Sequence, residues 1–375
     1  MLYSSDELIF KIMSFSLKPK SLNYAYTWEE IKTKYSGLID ELDGIISSLL
    51  VSSKTNANVT FAIVASQSPF QVIHVAENDF AILIGDRTFD TLISLCVRIQ
   101  SLEGINDMVG APNIKEPKQF SGKYLLDITK EIVFHTKDPA YLMLPTQPKY
   151  VYRAALCFIV SHEFAHISHG HLEFKKSEVF PQYAQTEDEH ATTLRTLEMD
   201  ADASATSSVF AIFENNIESM KQLEEIPPNL EKSIRAGYIL GIYIAHIYHD
   251  SLTLNYTPKR YPTGYSRFMT SVSVIQQLYS KNFPEQLGLP EETRRSLTQA
   301  FVNLSGHLNN LWHPIVANSQ VYDIQNHSVS HEYNTLGEVI ALDSLEPLHD
   351  RWALIRPELE KFRRGGSLAP AITRV

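Results

Sequence analysis

The stretch that most limits how this chain can fold is CFIVSHEFAHISHGH, residues 157–171. It sets His162, Glu163 and His166 in an apolar run that begins at Ala154. At about 100° per residue, an α-helix puts His166 about 40° round from His162, so both imidazoles share one face and can bind one metal ion. Glu163, about 100° round from His162, lies at the edge of that face, within reach of a water as general base. Ala154, Ala155, Leu156, Phe158, Ile159 and Val160 cover the helix on nearly every side. Such a helix is buried, and two histidines and a glutamate turned into a core need a metal to satisfy them. Cys157, about 140° from His162, reads as core and not as a ligand.

HExxH by itself has three fixed positions and arises by chance in ordinary helices, so a third ligand has to be found. His169 shares the face of His166, but Gly170 is expected to end the helix there. The longer pattern HExxHxxGxxH fails, because position 169 is His and position 172 is Leu. The acidic run Glu187-Asp188-Glu189-His190 suits the first turn of a following helix, where the dipole explains it. The remaining candidate is LEMDADASA, in which Glu198 and Asp202 stand at i and i+4 on one helical face. Glu198 can complete a His2Glu site, and Asp202, one turn on, can accept a hydrogen bond from a ligand histidine. Ala201, Ala203 and Ala205 would let the two helices approach closely.

HExxH followed by ExxxD resembles the gluzincin pattern of the zinc peptidases that include the heat-shock membrane peptidase and the CAAX prenyl-protein peptidase. Those enzymes carry a later HPxxxxR segment. Here Tyr261-Pro262-Thr263-Gly264-Tyr265-Ser266-Arg267 keeps the Pro-to-Arg spacing with Tyr261 in place of the His. The resemblance covers about residues 150–280 and implies a zinc ion held by His162, His166 and Glu198. It also implies Glu163 as base, Asp202 behind a ligand, and Arg267 or Tyr261 at the substrate or oxyanion. The membrane members have transmembrane helices that this chain lacks. In size and architecture it looks more like the phage-exclusion (Lit-type) peptidases, which cleave a host translation factor.

Around this centre the pattern is α+β, mostly α: an N-terminal α/β portion (1–145), a zincin-like helical catalytic domain (146–282) and a helical C-terminal region (283–375). Helices are expected over 28–52, with Thr27 and Glu30 at capping-box spacing, and over 86–102. Two or three strands are expected within 59–85. Residues 103–122, rich in Gly and Pro, read as a long loop, and YLLDITKEIVFH as further strands. Helices follow over 149–168, 186–214, 228–252, 266–279, 290–312 and 345–364. The last ends in Lys361, Arg363 and Arg364 before Gly365-Gly366, a basic helix end that solvent would bathe. FAILIG or EIVFH is the expected edge strand for an extended substrate. The loop 103–122 and the linker 173–189 are the segments expected to cover the cleft.

Charge and cysteine usage narrow the setting. The formal net charge of −10 argues against nucleic acid or an anionic membrane surface as partner. Two cysteines cannot make a disulfide framework, the N-terminus lacks the pattern of a secretory signal, and the longest apolar run (236–247) is too short to span a bilayer. A soluble, cytoplasmic protein without membrane insertion is expected, acting on a protein or peptide. The residue types imply zinc with an open fourth position for water, Glu163 to take its proton, and an oxyanion donor from His246, Tyr248, His249, Tyr261, Tyr265 or Arg267. The competing expectation is a regulatory or interaction protein on the same scaffold, with a structural or inactive zinc site.

Overall fold

The computed structural model describes residues 24–25, 38–65, 70–85, 88–89, 92–93, 95–96, 146–223, 227–253, 264–282 and 332–370. In chain order these form β1 (Tyr24–Ala25), α1 (Leu38–Ser53), β2 (Asn58–Ala65), β3 (Phe70–Ala76), β4 (Asp79–Gly85), α2 (Thr146–Ser168), α3 (His171–Lys176), a 3-10 turn (Phe180–Tyr183), α4 (Glu187–Leu223), α5 (Pro228–Thr253), α6 (Gly264–Asn282) and α7 (Glu332–Leu359). The chain is α+β, mostly α, as the sequence pattern predicts. The helix expected over 28–52 is seen from Leu38. Residues 88–89, 92–93 and 95–96 are helical, with Phe89, Leu92, Ile93 and Cys96 buried. The loop 103–122, the strands expected near Tyr124 and the helix over 290–312 lie outside the described residues.

The HExxH helix α2 is the hub. Pro148 stands in its first turn, where a missing N–H costs no hydrogen bond. Its apolar residues from Ala154 to Val160 are at most 1% exposed, because the sheet, α1, α4 and α5 all pack around it. The tightest crossing is with α5. A Cβ at Gly241 would lie 2.5 Å from the Val151 carbonyl oxygen and 2.6 Å from the Ala154 Cβ, so only glycine lets the two backbones come so near. The start of α4 is a reciprocal capping box: the Thr186 N–H donates to Glu189 Oε2 and the Glu189 N–H to Thr186 Oγ1, each at 3.2 Å.

Sheet order is β1-β2-β4-β3, with β4 parallel to β2 and antiparallel to β3. FAILIG, expected at an edge, is therefore central. Phe80, Ile82 and Ile84 enter the main core while Ala81 and Leu83 join Val75 on the other face. A strand apolar on both faces belongs inside a sheet, whereas a half-exposed edge strand alternates apolar and polar residues. Among the described residues the edge nearest α2 is β3, which packs on that helix. EIVFH lies outside the described residues.

A buried ion pair ties α4 to α5. Arg235, 1% exposed, donates from Nε and Nη2 to Glu214 at 3.0 and 2.8 Å and meets Glu231 through Nη1, while the Tyr238 hydroxyl donates to Glu214. Glu214→Ala removes the charge-assisted hydrogen bonds from Arg235 and the one from Tyr238 while Glu231 still meets Arg235, so it should cost about 1–3 kcal/mol in urea unfolding. A loss under about 1 kcal/mol would mean that Glu231 or water takes the place of Glu214 at Arg235.

The C-terminal helix α7 forms a second core with α3 and α4, in which Trp352, Ile355 and Leu359 meet Phe174, Leu197 and Met199. It starts earlier and ends earlier than its pattern predicts, because the chain turns at residues 360–362. Its basic end is not uniformly bathed by solvent. Lys361 and Arg363 make exposed pairs, but Arg364 donates to Glu173 and Asn78 and lies 5.0 Å over the Phe80 ring. The linker expected over 173–189 is largely folded too, with Phe180 and Tyr183 resting on the second core.

Candidate metal centre

Two helices meet at the centre. α2 supplies His162 and His166 from one face, and α4 supplies Glu198 and Asp202, one turn apart. His162 Nε2 lies 3.1 Å from His166 Nε2 and 3.2 Å from Glu198 Oε2, and His166 Nε2 lies 3.6 Å from Glu198 Oε1. Zinc with tetrahedral bonds of about 2.0–2.1 Å separates its ligands by about 3.4 Å. The two imidazole nitrogens and the Glu198 carboxylate, with one oxygen toward each histidine, stand at spacings close to that.

The chemistry of the donors fits a cation as well. Asp202 Oδ1 faces His162 Nδ1 at 2.9 Å and favours a proton there, which leaves a lone pair on Nε2. That lone pair, the one on His166 Nε2 and a carboxylate converge, and they repel unless a cation or proton sits between them. Burial pulls the His162 pKa down, but Asp202 and Glu198 outweigh burial and push it up to about 10. The spot draws positive charge. Burial resists ionisation of Glu198, yet His166, His162 and Arg267 hold its carboxyl well below the usual carboxylate range. The side chain of His162 is 2% exposed, that of His166 9% and that of Glu198 17%, so solvent enters from the Glu198 side.

Glu163 stands beside the ligands, half-buried, and burial chiefly pushes its carboxyl up to about 7. A carboxylate with that pKa is suited to take and return a proton near neutrality. Arg267, on α6, grips Asp202: Nε donates to Oδ2 at 2.7 Å and Nη2 to Oδ1 at 2.8 Å, and Nη2 is 3.8 Å from Glu198 Oε2. Burial would raise the Asp202 pKa, but this bidentate pair holds it well below the ordinary value.

Of the other donors expected from sequence, His249 comes nearest. Its ring centroid is 5.5 Å from that of His162, and its buried Nε2 has no hydrogen-bond partner. Burial, with Arg267 and His162, lowers its pKa well below the ordinary value, so the ring is neutral. His246 Nε2 meets Ser271 Oγ at 3.0 Å and the Tyr248 hydroxyl meets Thr88 Oγ1 at 2.8 Å, so both are engaged by the surrounding helices. Tyr261 lies outside the described residues, as does the Tyr265 side chain. Cys157 is core, as expected, and burial pushes its thiol up to about 12.

A second buried group adjoins the first. At Gly170, whose φ is +75°, the chain leaves α2 and doubles back, so that His171 Nδ1 comes 2.8 Å from His166 Nδ1. His171 Nε2 and His169 Nδ1 both meet Asp200 Oδ2, at 3.1 and 2.5 Å. His169 is thus turned away from the His162–His166–Glu198 face. No motif of the sequence marks Asp200. Its signal was an acid between Met199 and Ala201, about 200° round from Glu198, on a helix side that had to be buried as well.

Comparison with protein families finds one match: the family Peptidase U49, over residues 107–285, just under half of the chain. The matched range holds α2, α4, α5 and α6 and therefore every residue of the centre described above. The matched family is one of peptidases. Comparison with curated proteins and with solved structures gives no match. Among the described residues, no helix is long and apolar enough to cross a membrane.

Proposed function

We propose that the protein is a zinc-dependent endopeptidase whose metal is held by His162, His166 and Glu198. The observation that carries this reading is the convergence of two imidazole nitrogens and one carboxylate at 3.1–3.6 Å, with an ionisable Glu163 beside them. Zinc held by these residues would supply Lewis acidity toward the attacking water and the scissile carbonyl. Glu163 receives the proton of the attacking water and passes it to the leaving amine. Asp202, itself clamped by Arg267, holds His162 in one tautomer. His249 donates from Nε2 to the oxyanion, the kind of contact that is worth most where water is excluded.

A purely structural zinc site is less well supported. It calls for a fourth protein ligand, and the two histidines that might have served, His169 and His171, are both turned to Asp200. Size, architecture and the Lit-type resemblance support action on one or a few intracellular proteins, in a regulatory or phage-defence role. The test is proteomics of new N-termini in cells expressing wild type or Glu163→Gln, alongside elemental analysis of the purified chain. One zinc per chain and a few new termini dependent on Glu163 are expected. Metal-free protein that takes up no zinc would overturn the reading.

A further inference from the structure

His169, His171 and Asp200 offer a second set of ligand atoms within 4.8 Å of one another, and all three residues are at most 1% exposed. We infer that this group is not a second metal site but a hydrogen-bonded support that aims His166 at the metal, with His171 and Asp200 as its positioning residues. The inference rests on the metal reading above and follows from counting protons. A neutral imidazole carries one N–H. When His166 gives its Nε2 lone pair to a metal, its proton sits on Nδ1, and the atom 2.8 Å away, His171 Nδ1, must accept it. The one proton of His171 then lies on Nε2 and is donated to Asp200 Oδ2 at 3.1 Å. Asp200 Oδ2 also accepts from His169 Nδ1, and Oδ1 accepts the Ala369 backbone N–H at 3.2 Å. Every donor in the chain meets an acceptor.

A metal on His171 Nε2 would reverse this. The proton of His171 would move to Nδ1 and face the Nδ1–H of His166, two donors at 2.8 Å with no acceptor between them. The two sites cannot both be filled while the imidazoles stay neutral. The first site has the solvent-facing ligand and the adjacent base, so the second group serves it. Its anchor comes from the far end of the chain. The N–H groups of Arg364 and Gly365 donate to the Ser168 carbonyl, at 2.8 and 3.0 Å, and bring Ala369 against Asp200.

The test uses the full chain, with zinc alone as probe: zinc content by elemental analysis, affinity by competition with a chromophoric chelator, and the visible spectrum of the cobalt-substituted protein. One zinc per wild-type chain is expected. His171→Leu, which fills space but accepts nothing, should weaken zinc about 10–100-fold and alter the cobalt bands. His171→Gln, whose amide both accepts and donates, should bind within about threefold of wild type, a rescue that mere packing would not produce. Asp200→Asn should weaken zinc in the same direction and serves if His171→Leu does not fold. Two zinc ions per wild-type chain would overturn the inference and leave the first site standing. One zinc with unchanged affinity in His171→Leu or Asp200→Asn, or equal losses in His171→Leu and His171→Gln, would overturn it as well. No zinc in wild type would overturn both it and the metallopeptidase reading.

Discussion

For a zinc peptidase with Glu163 as its base, Glu163→Gln is expected to leave the protein folded and zinc-binding but to lower peptide hydrolysis by about 10²–10⁴-fold, the range for loss of a general base. The amide has the shape of the carboxyl, and no hydrogen bond of the described structure depends on the charge of Glu163. What it lacks is a site for the proton. In the native protein burial pushes that carboxyl up to about 7, so it can both take a proton from water and return one to the amine. Initial rates on a peptide spanning a cleavage site found by N-terminal proteomics, with zinc content measured on the same sample, decide the matter. Cleavage at the wild-type rate would remove Glu163 from the mechanism even with zinc in place.

Glu198→Ala has the opposite signature. It removes the only ligand from α4, leaving two imidazole nitrogens 3.1 Å apart with no carboxylate to balance the metal charge. Zinc affinity should fall by more than the roughly 100-fold that changes behind a ligand can cause. Activity falls with it. The loss also shows in stability, because a ligand present at 100 times its Kd adds about 2.7 kcal/mol to the folded state. Wild type should therefore melt higher with zinc than with chelator, and Glu198→Ala should melt at one temperature in both. A zinc-dependent rise retained in the variant would mean that the third ligand is another residue.

Local patterns carried much of this protein. Thr186 and Glu189 mark the start of α4 because a capping box is closed within four residues. Gly170 ends α2 because the left-handed turn there suits a residue without a Cβ. His162 and His166, like Glu198 and Asp202, meet their partners because i and i+4 share a helical face whatever the rest of the chain does. The sequence alone therefore determined that His162, His166, Glu198 and Asp202 come together, and on which helices.

The tertiary structure decided what depends on distant strands and helices. FAILIG reads as a strand in either place, and only its pairing with β2 and β3 makes it central. Arg267 is one long basic side chain on α6, and only the packing of that helix puts its fork on Asp202. Asp200 looked like one more helix acid. It became a support for His166 because Gly170 turns His171 back on one side and the chain end, about 170 residues later, brings Ala369 to the other. Such contacts leave no periodicity, since hydrogen bonds between remote segments set no spacing along the chain, and they exist only once the core around α2 has closed.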